Sequence, residues 1–296
     1  MNWVPLFFID AVCHQLKLEA FNQVSQLSCC WSEFGFQHRE KRRELTFSCT
    51  VDGKECSYSI DKQKNWTDTK LLVADLNLEF DRITSVNLDA WFFTNSWENQ
   101  VSLDELRREI LPKIASLVMY CNWWYLDMEG FDQNRIFFEA FKNCPGFNEI
   151  IIEEGEESRD LIARQVELGN VRMLNLSAQE WPNELNRPER EKLAQTLKTF
   201  VNSPRFHELT YHGALPNDAE LFELFLERAI AGELNPGAYI SLDNITTAKS
   251  QVIGSFHPEC RENSERITWL IPNSRRRVVV EEMNGTFCMQ VRRSVI

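Results

Sequence analysis

One pattern constrains this chain more than any other: an apolar residue, two spacers, a second apolar residue, one spacer, then a third. It occurs from Ile83 (Ile83, Val86, Leu88), in "FNEIII" from Phe147, in "VRMLNL" from Val171 and in "FHELTY" from Phe206. Weaker copies place Ile114, Leu117 and Met119 in one series and Gly237, Ile240 and Leu242 in another. Successive starts are 31, 33, 24, 35 and 31 residues apart. The last two apolar positions alternate as a strand with one buried face does. Helical signals fill the gaps. Leu193, Ala194, Leu197, Phe200 and Val201 share one helical face, as do Leu221, Phe222, Phe225, Leu226 and Ala229. Helix–strand units repeated every 20 to 40 residues or so mark a solenoid. The expected fold class is therefore α/β, with a helical segment over 1–44, a β-hairpin plus leucine-rich-repeat-like repeats over 45–250, and a C-terminal β-hairpin region over 251–296 packed on the repeats. Asp52-Gly53 and Asn284-Gly285 are the expected hairpin turns. The pattern leaves open whether the repeats curve into a solenoid or pack as a compact sheet.

"FHELTYHG" (206–213) comes close to the HExxH zinc motif, but its histidines, His207 and His212, are five residues apart rather than four. Five residues turn a helix by about 500°, so the two rings would not share a face. The repeat alignment makes the stretch a strand instead, with Phe206, Leu209 and Tyr211 inward. No nucleophile elbow, dinucleotide loop or phosphate loop is present, and the chain has only five histidines. No catalysis, metal or cofactor is expected. "EEGEES" (153–158) reads as a solvated loop feeding a helix N-terminus, where acids suit the dipole. "RRR" (275–277) reads either as a contact for an acidic partner or as charge guarding a strand edge.

With 32 basic and 44 acidic residues the net charge is −12, which disfavours general binding to nucleic acid or anionic membrane. The nine cysteines are odd in number, scattered and without a CxxC pair, as expected of free buried thiols in a reducing compartment. No apolar run reaches membrane-spanning length, and the first residues lack the features of a secretory signal, so a cytoplasmic or nuclear protein is expected.

The N-terminus carries a further spacing. Val4-Pro5 is followed by Phe8 and Ile9, then Val12, then Leu16, and "LSCCW" places Leu27 and Trp31 at its end. This series resembles the F-box, the helical motif that docks the adaptor subunit of Skp–cullin–F-box ubiquitin ligases. Phe7, Ala20 and Cys29-Cys30 depart from the family's usual charged positions. "WLIPNSRRR", with Trp269, Ile271, Asn273, Ser274 and Arg276, is similar to a C-terminal hairpin of the F-box-associated proteins expanded in nematodes. The resemblance implies a non-catalytic substrate receptor whose partners are a Skp-type adaptor, its cullin complex and an unknown protein substrate. Pro5, Phe8, Ile9, Val12, Leu16, Leu27 and Trp31 would form or support the adaptor-docking surface. In the repeats, the residue between the last two inward positions faces the open side of the sheet, which makes Asn87, Val118, Ile151, Asn175, Thr210 and Ser241 the candidate substrate row. A repeat scaffold that binds partners without an adaptor, and a hydrolase of unrecognised type, are the other readings.

Overall fold

A computed structural model describes residues 4–27, 30–52, 55–62, 71–89, 99–126, 131–178, 187–213, 215, 218–243, 261–263, 266–271, 274–283 and 286–293. The protein is mixed α/β and divides into two compact units, Met1–Phe147 and Asn148–Ile296. No helix among the described residues is long and apolar enough to cross a membrane.

The first unit opens with helices α1 (Leu6–His14), α2 (Phe21–Val24) and α3 (Cys30–Lys41). Strands β1 (Arg43–Asp52), β2 (Glu55–Lys62), β3 (Asp81–Asp89) and β4 (Asn99–Ser102) follow, then helices α4 (Leu103–Glu105) and α5 (Leu111–Leu117), strand β5 (Val118–Leu126) and helix α6 (Phe131–Phe141). The strands lie in the order β4-β2-β1-β3-β5. β1, β3 and β5 run parallel, and β2 and β4 add antiparallel. The first hairpin closes one residue later than its Asp-Gly signal: Asp52 pairs with Glu55, so Gly53 and Lys54, which lie outside the described residues, separate the strands.

Ile83, Val86 and Leu88 are fully buried on β3, as their pattern predicts. The copy at Ile114 is a correction. Ile114 and Leu117 are buried on helix α5, not on a strand, and β5 starts only at Val118. An apolar-x-x-apolar pair fits one helical face as well as a repeat strand, and Leu106, Ile110, Leu111, Ile114 and Leu117, all buried, continue that face. Ser102 caps this helical stretch, accepting from the Glu105 amide at 3.2 Å. Gly146, in the "NCPGF" stretch after α6, has a packing role: a Cβ there would meet the Val118 carbonyl oxygen at 2.3 Å, and the Gly146 carbonyl accepts from the Cys121 amide at 2.7 Å.

The second unit alternates β6 (Phe147–Glu154), α7 (Glu156–Leu168), β7 (Met173–Ala178), α8 (Arg187–Val201), β8 (Glu208–His212), α9 (Asp218–Ile230) and β9 (Tyr239–Asp243). β10 (Arg261–Asn263), β11 (Arg266–Leu270), β12 (Arg276–Met283) and β13 (Thr286–Arg293) complete it. β6 to β9 are parallel neighbours. β13 then pairs antiparallel with β9, and β12, β11 and β10 follow outward. The C-terminal strands thus extend the same sheet by its edge. Met283 pairs with Thr286, which leaves Asn284 and Gly285 between the strands, as their turn signal predicts; both lie outside the described residues.

The inward positions of β6 to β9 form this unit's core. Ile150, Ile152, Leu174, Leu176, Leu209, Ile240 and Leu242 are all buried. Rings from the helices join them edge-on, Phe225 at 6.1 Å from Phe206 and Phe222 at 5.1 Å from Phe287. Gly169 caps α7 in the left-handed conformation that glycine adopts at least cost. Buried Arg228 of α9 donates to the carbonyls of Val201 and Ser203 at the end of α8 and pairs with Glu233 at 3.0 Å.

A candidate docking surface and the polar core beneath it

Helix α1 begins "LFFI". Four consecutive apolar residues sweep about 300° of a helix, so they cannot all face one core. Ile9 turns inward and packs with Cys13, Phe21 and Val24, with Leu16, Trp31 and Phe34 partly buried against that cluster. Leu6, Phe7 and Phe8 stay 54%, 77% and 50% exposed. Leu27 after α2 and Phe36 on α3 are also exposed, Phe36 with the Arg39 guanidinium 5.2 Å from its ring centre.

Of the residues that the F-box spacing singles out, Pro5, Phe8 and Leu27 are exposed, and Val12, Leu16 and Trp31 are half-buried. Ile9 lies inside the helical core, where it supports a surface rather than forming one. Pro5 starts α1, its carbonyl accepting from the Phe8 and Ile9 amides. Leu6, Phe7 and Phe36 were not singled out by that spacing. The unbroken apolar run at the start of α1 is the signal for the first two; for Phe36 the sequence gives none.

The opposite end of α1 is held by charge. Arg42 donates to the carbonyls of Cys13, His14 and Leu16 around the end of α1, where the Cys13 carbonyl also accepts from the Leu16 amide. The Tyr120 hydroxyl donates to the Gln15 carbonyl at 2.6 Å, and Lys17 sits 5.5 Å from the Tyr120 ring centre. Tyr120 has φ +49°, where β5 slips register against β3 between the Ile83–Val118 and Ser85–Asn122 pairs. A bulge of this kind re-aims a side chain, here toward the end of α1.

Between α1, α3 and β3 lies a polar core. Asp10 accepts from His14 Nε2 at 3.3 Å and from His38 Nε2 at 3.1 Å. Arg82 meets His14 Nδ1, and Arg42 meets His38 Nδ1 at 3.4 Å. A guanidinium only donates, so each ring accepts at Nδ1 and carries its proton on Nε2, toward Asp10. Burial and the facing arginines hold both histidines below their ordinary range, and Arg42 itself falls to about 10 through burial and Arg82. His38 stacks on Phe21 at 5.5 Å.

Asp10, His14 and His38 bring one ligand atom each within 4.8 Å, close enough to hold a metal ion. The hydrogen bonding opposes it. A metal would need both Nε2 lone pairs, which would move the protons to Nδ1 and set N–H against N–H at each guanidinium. The cluster fits an internally paired brace for three elements, not a metal centre.

In the second unit the candidate substrate row is a true register row. Ile151 pairs with Asn175, Asn175 with Thr210, and Thr210 with Ser241. Ile151 and Asn175 are half-buried, whereas Thr210 and Ser241 are buried; Ser241 Oγ lies 3.3 Å from Cys288 Sγ of the neighbouring β13. In the first unit Asn87 is half-buried and donates to Ser48 Oγ at 3.5 Å. Val118 is a correction: it pairs with Ile83 and is buried, while Asn87 pairs with Trp124. The bulge in β5 shifts the register that the repeat spacing assumed. "FHELTYHG" folds as β8, with Leu209 and Tyr211 buried and His212 Nδ1 bonded to Asp243 at 2.7 Å.

The described cysteines are free; Cys13, Cys49, Cys56, Cys121, Cys144 and Cys288 are buried and Cys30 is exposed. Burial pushes Cys56 and Cys144 up to about 11, which leaves them inert thiols. No protein-family model matches this chain, and no curated protein does.

Proposed function

We propose that this chain is a non-catalytic protein-interaction subunit, the substrate receptor of a Skp–cullin–F-box ubiquitin ligase. One observation carries the reading. Leu6, Phe7 and Phe8 on α1, Leu27 after α2 and Phe36 on α3 remain exposed around an apolar core that is already filled. Exposed large apolar side chains gathered in one short segment mark an interaction site. The leucine-rich-repeat-like arrangement of the second unit belongs to the same reading, with the half-buried Ile151 and Asn175 of the row available to a protein substrate and the buried Thr210 and Ser241 supporting the sheet. The bracing of α1 by Arg42, Arg82 and Tyr120 favours a second reading, in which the helices are only a cap on a stand-alone scaffold.

The test is capture of the purified chain by a Skp-type adaptor, with a Phe7→Asp, Phe8→Asp variant beside it. Both residues are exposed, so circular dichroism and melting should stay as in the wild type. Binding by the wild type and loss in the variant support the docking module. A folded wild type that ignores the adaptor overturns it and leaves the scaffold reading. Leu16→Asp would be a poor probe, because Leu16 packs against the helical core.

A further inference from the structure

The "RRR" stretch belongs to neither the docking surface nor the candidate substrate row. In an acidic chain, arginines crowd at the shared end of β12 and β13, where Arg276 pairs with Arg293 and Arg277 with Arg292. Like charges directly opposite on antiparallel strands repel, so such a pair needs compensation.

The two pairs differ in how they obtain it. Arg292 meets Glu281 at 3.5 Å and Gln290 at 2.6 Å. Arg276 donates only to neutral acceptors, the carbonyls of Leu234 at 2.8 Å and Gly232 at 3.5 Å, which aim the guanidinium without cancelling its charge. Arg275 and Arg293 are exposed and have no ion pair among the described residues. Glu233, the nearest acid in sequence to those carbonyls, is taken by Arg228.

Arg275, Arg276, Arg293 and Pro236 line a recess of about 390 Å³. Its Pro236 wall is pinned to β13, with the Gly237 amide donating to the Val291 carbonyl at 2.7 Å and the Val291 amide to the Ala238 carbonyl at 2.9 Å. The site is therefore built from fixed backbone and one oriented guanidinium, with two more charges beside it.

We propose that this recess binds a phosphate monoester. A guanidinium offers paired N–H donors that match phosphate oxygens two at a time. Three such forks exceed what a single carboxylate, with one charge and two oxygens, can satisfy; a tetrahedral dianion suits them. A nucleic-acid strand is disfavoured, because a chain of net charge −12 repels an extended polyanion beyond the recess. The phosphate can sit on a protein side chain or on a small metabolite. The site is independent of the adaptor reading.

The experiment titrates the full chain with inorganic phosphate at constant ionic strength, followed by ³¹P NMR, beside an Arg275→Gln, Arg293→Gln variant. Both side chains are exposed and Arg293→Gln relieves the repulsion across from Arg276, so the variant's melting should be unchanged or slightly higher. The expected result is a saturable wild-type response, at least about tenfold weaker in the variant, which is the loss of about 1.4 kcal/mol. Binding of a phosphate monoester should weaken below about pH 6, where its dianion takes up a proton. Two further arms use a phosphoserine peptide with its serine counterpart, and glycerol phosphate. Preference for the phosphopeptide places the ligand on a protein, and equal binding of glycerol phosphate places it on a small ester; either supports the site. A wild-type response no stronger than the variant's with every probe overturns it.

Discussion

The N-terminal helices and the β6–β9 strands solve the burial problem in opposite ways. Along β6 to β9 the inward residues are almost all aliphatic or aromatic, and the register row through Asn175 and Thr210 carries polar groups on the other face. In the helices a small apolar cluster of Ile9, Cys13, Phe21 and Val24 adjoins a polar one of Asp10, His14, His38 and Arg42, braced by Arg82, while three apolar side chains at the start of α1 face outward. An apolar core tolerates small misfits, since dispersion has no direction. A polar core fixes angles, because each donor must meet its acceptor. The helices therefore add directed polar bonds to their apolar burial and fix the orientation of α1, which is what a surface presented to a partner requires.

Substitutions test that contrast. Phe222→Ala should cost the most, about 4 kcal/mol, because Phe222 is fully buried against Phe287; a urea titration would show it. A cost under about 1 kcal/mol would mean that the strand core is looser than its burial implies. Arg42→Met should cost about 3 kcal/mol by removing the one donor that the Cys13, His14 and Leu16 carbonyls share, with amide exchange rising in α1 before the strands. A neutral or stabilised variant would show that packing, not hydrogen bonding, holds the helix.

Acid should act mainly through the helices. His14 and His38 are held below their ordinary values by burial first, then by Arg82 and Arg42, with Asp10 opposing. The unfolded chain takes up protons near pH 6.5 and the folded chain only lower, so stability is lost as pH falls through about 6.5. Melting at pH 7.5 and 5.5 should show the loss in the wild type and a smaller one in His38→Gln. Equal losses in both would remove His38 from the account. Phe7→Asp should change stability least, within about 0.5 kcal/mol, since Phe7 is 77% exposed. A larger cost would mean that Phe7 already covers apolar surface of this chain.

The strands of the second unit were legible because each carries its own evidence: Phe147, Ile150 and Ile152 announce β6 without help from other segments. The row from Ile151 to Ser241 followed from the same alignment; its register holds, but Thr210 and Ser241 are buried, where the pattern put them on the open side. The alignment failed at Val118, where a helical face imitates the strand pattern and a bulge moves the register. The polar core was not legible at all. Asp10, His14, His38, Arg42 and Arg82 are spread over more than seventy residues and meet only when the helices fold onto β3. The exposure of Phe7 could have been read, since four adjacent apolar residues on a helix overfill any single face.

The bond from Tyr120 to Gln15 joins groups 105 residues apart. During synthesis the apolar start of α1 leaves the ribosome before β5, and its last anchor is translated roughly 5 to 20 seconds later at ordinary elongation rates. Through that interval the nascent helix carries its phenylalanines without the brace that fixes its direction. A chaperone that shields residues 6–8 until β5 emerges would meet the same side chains that the finished protein displays, so completion of the first unit acts as a timer on when that surface takes its final form.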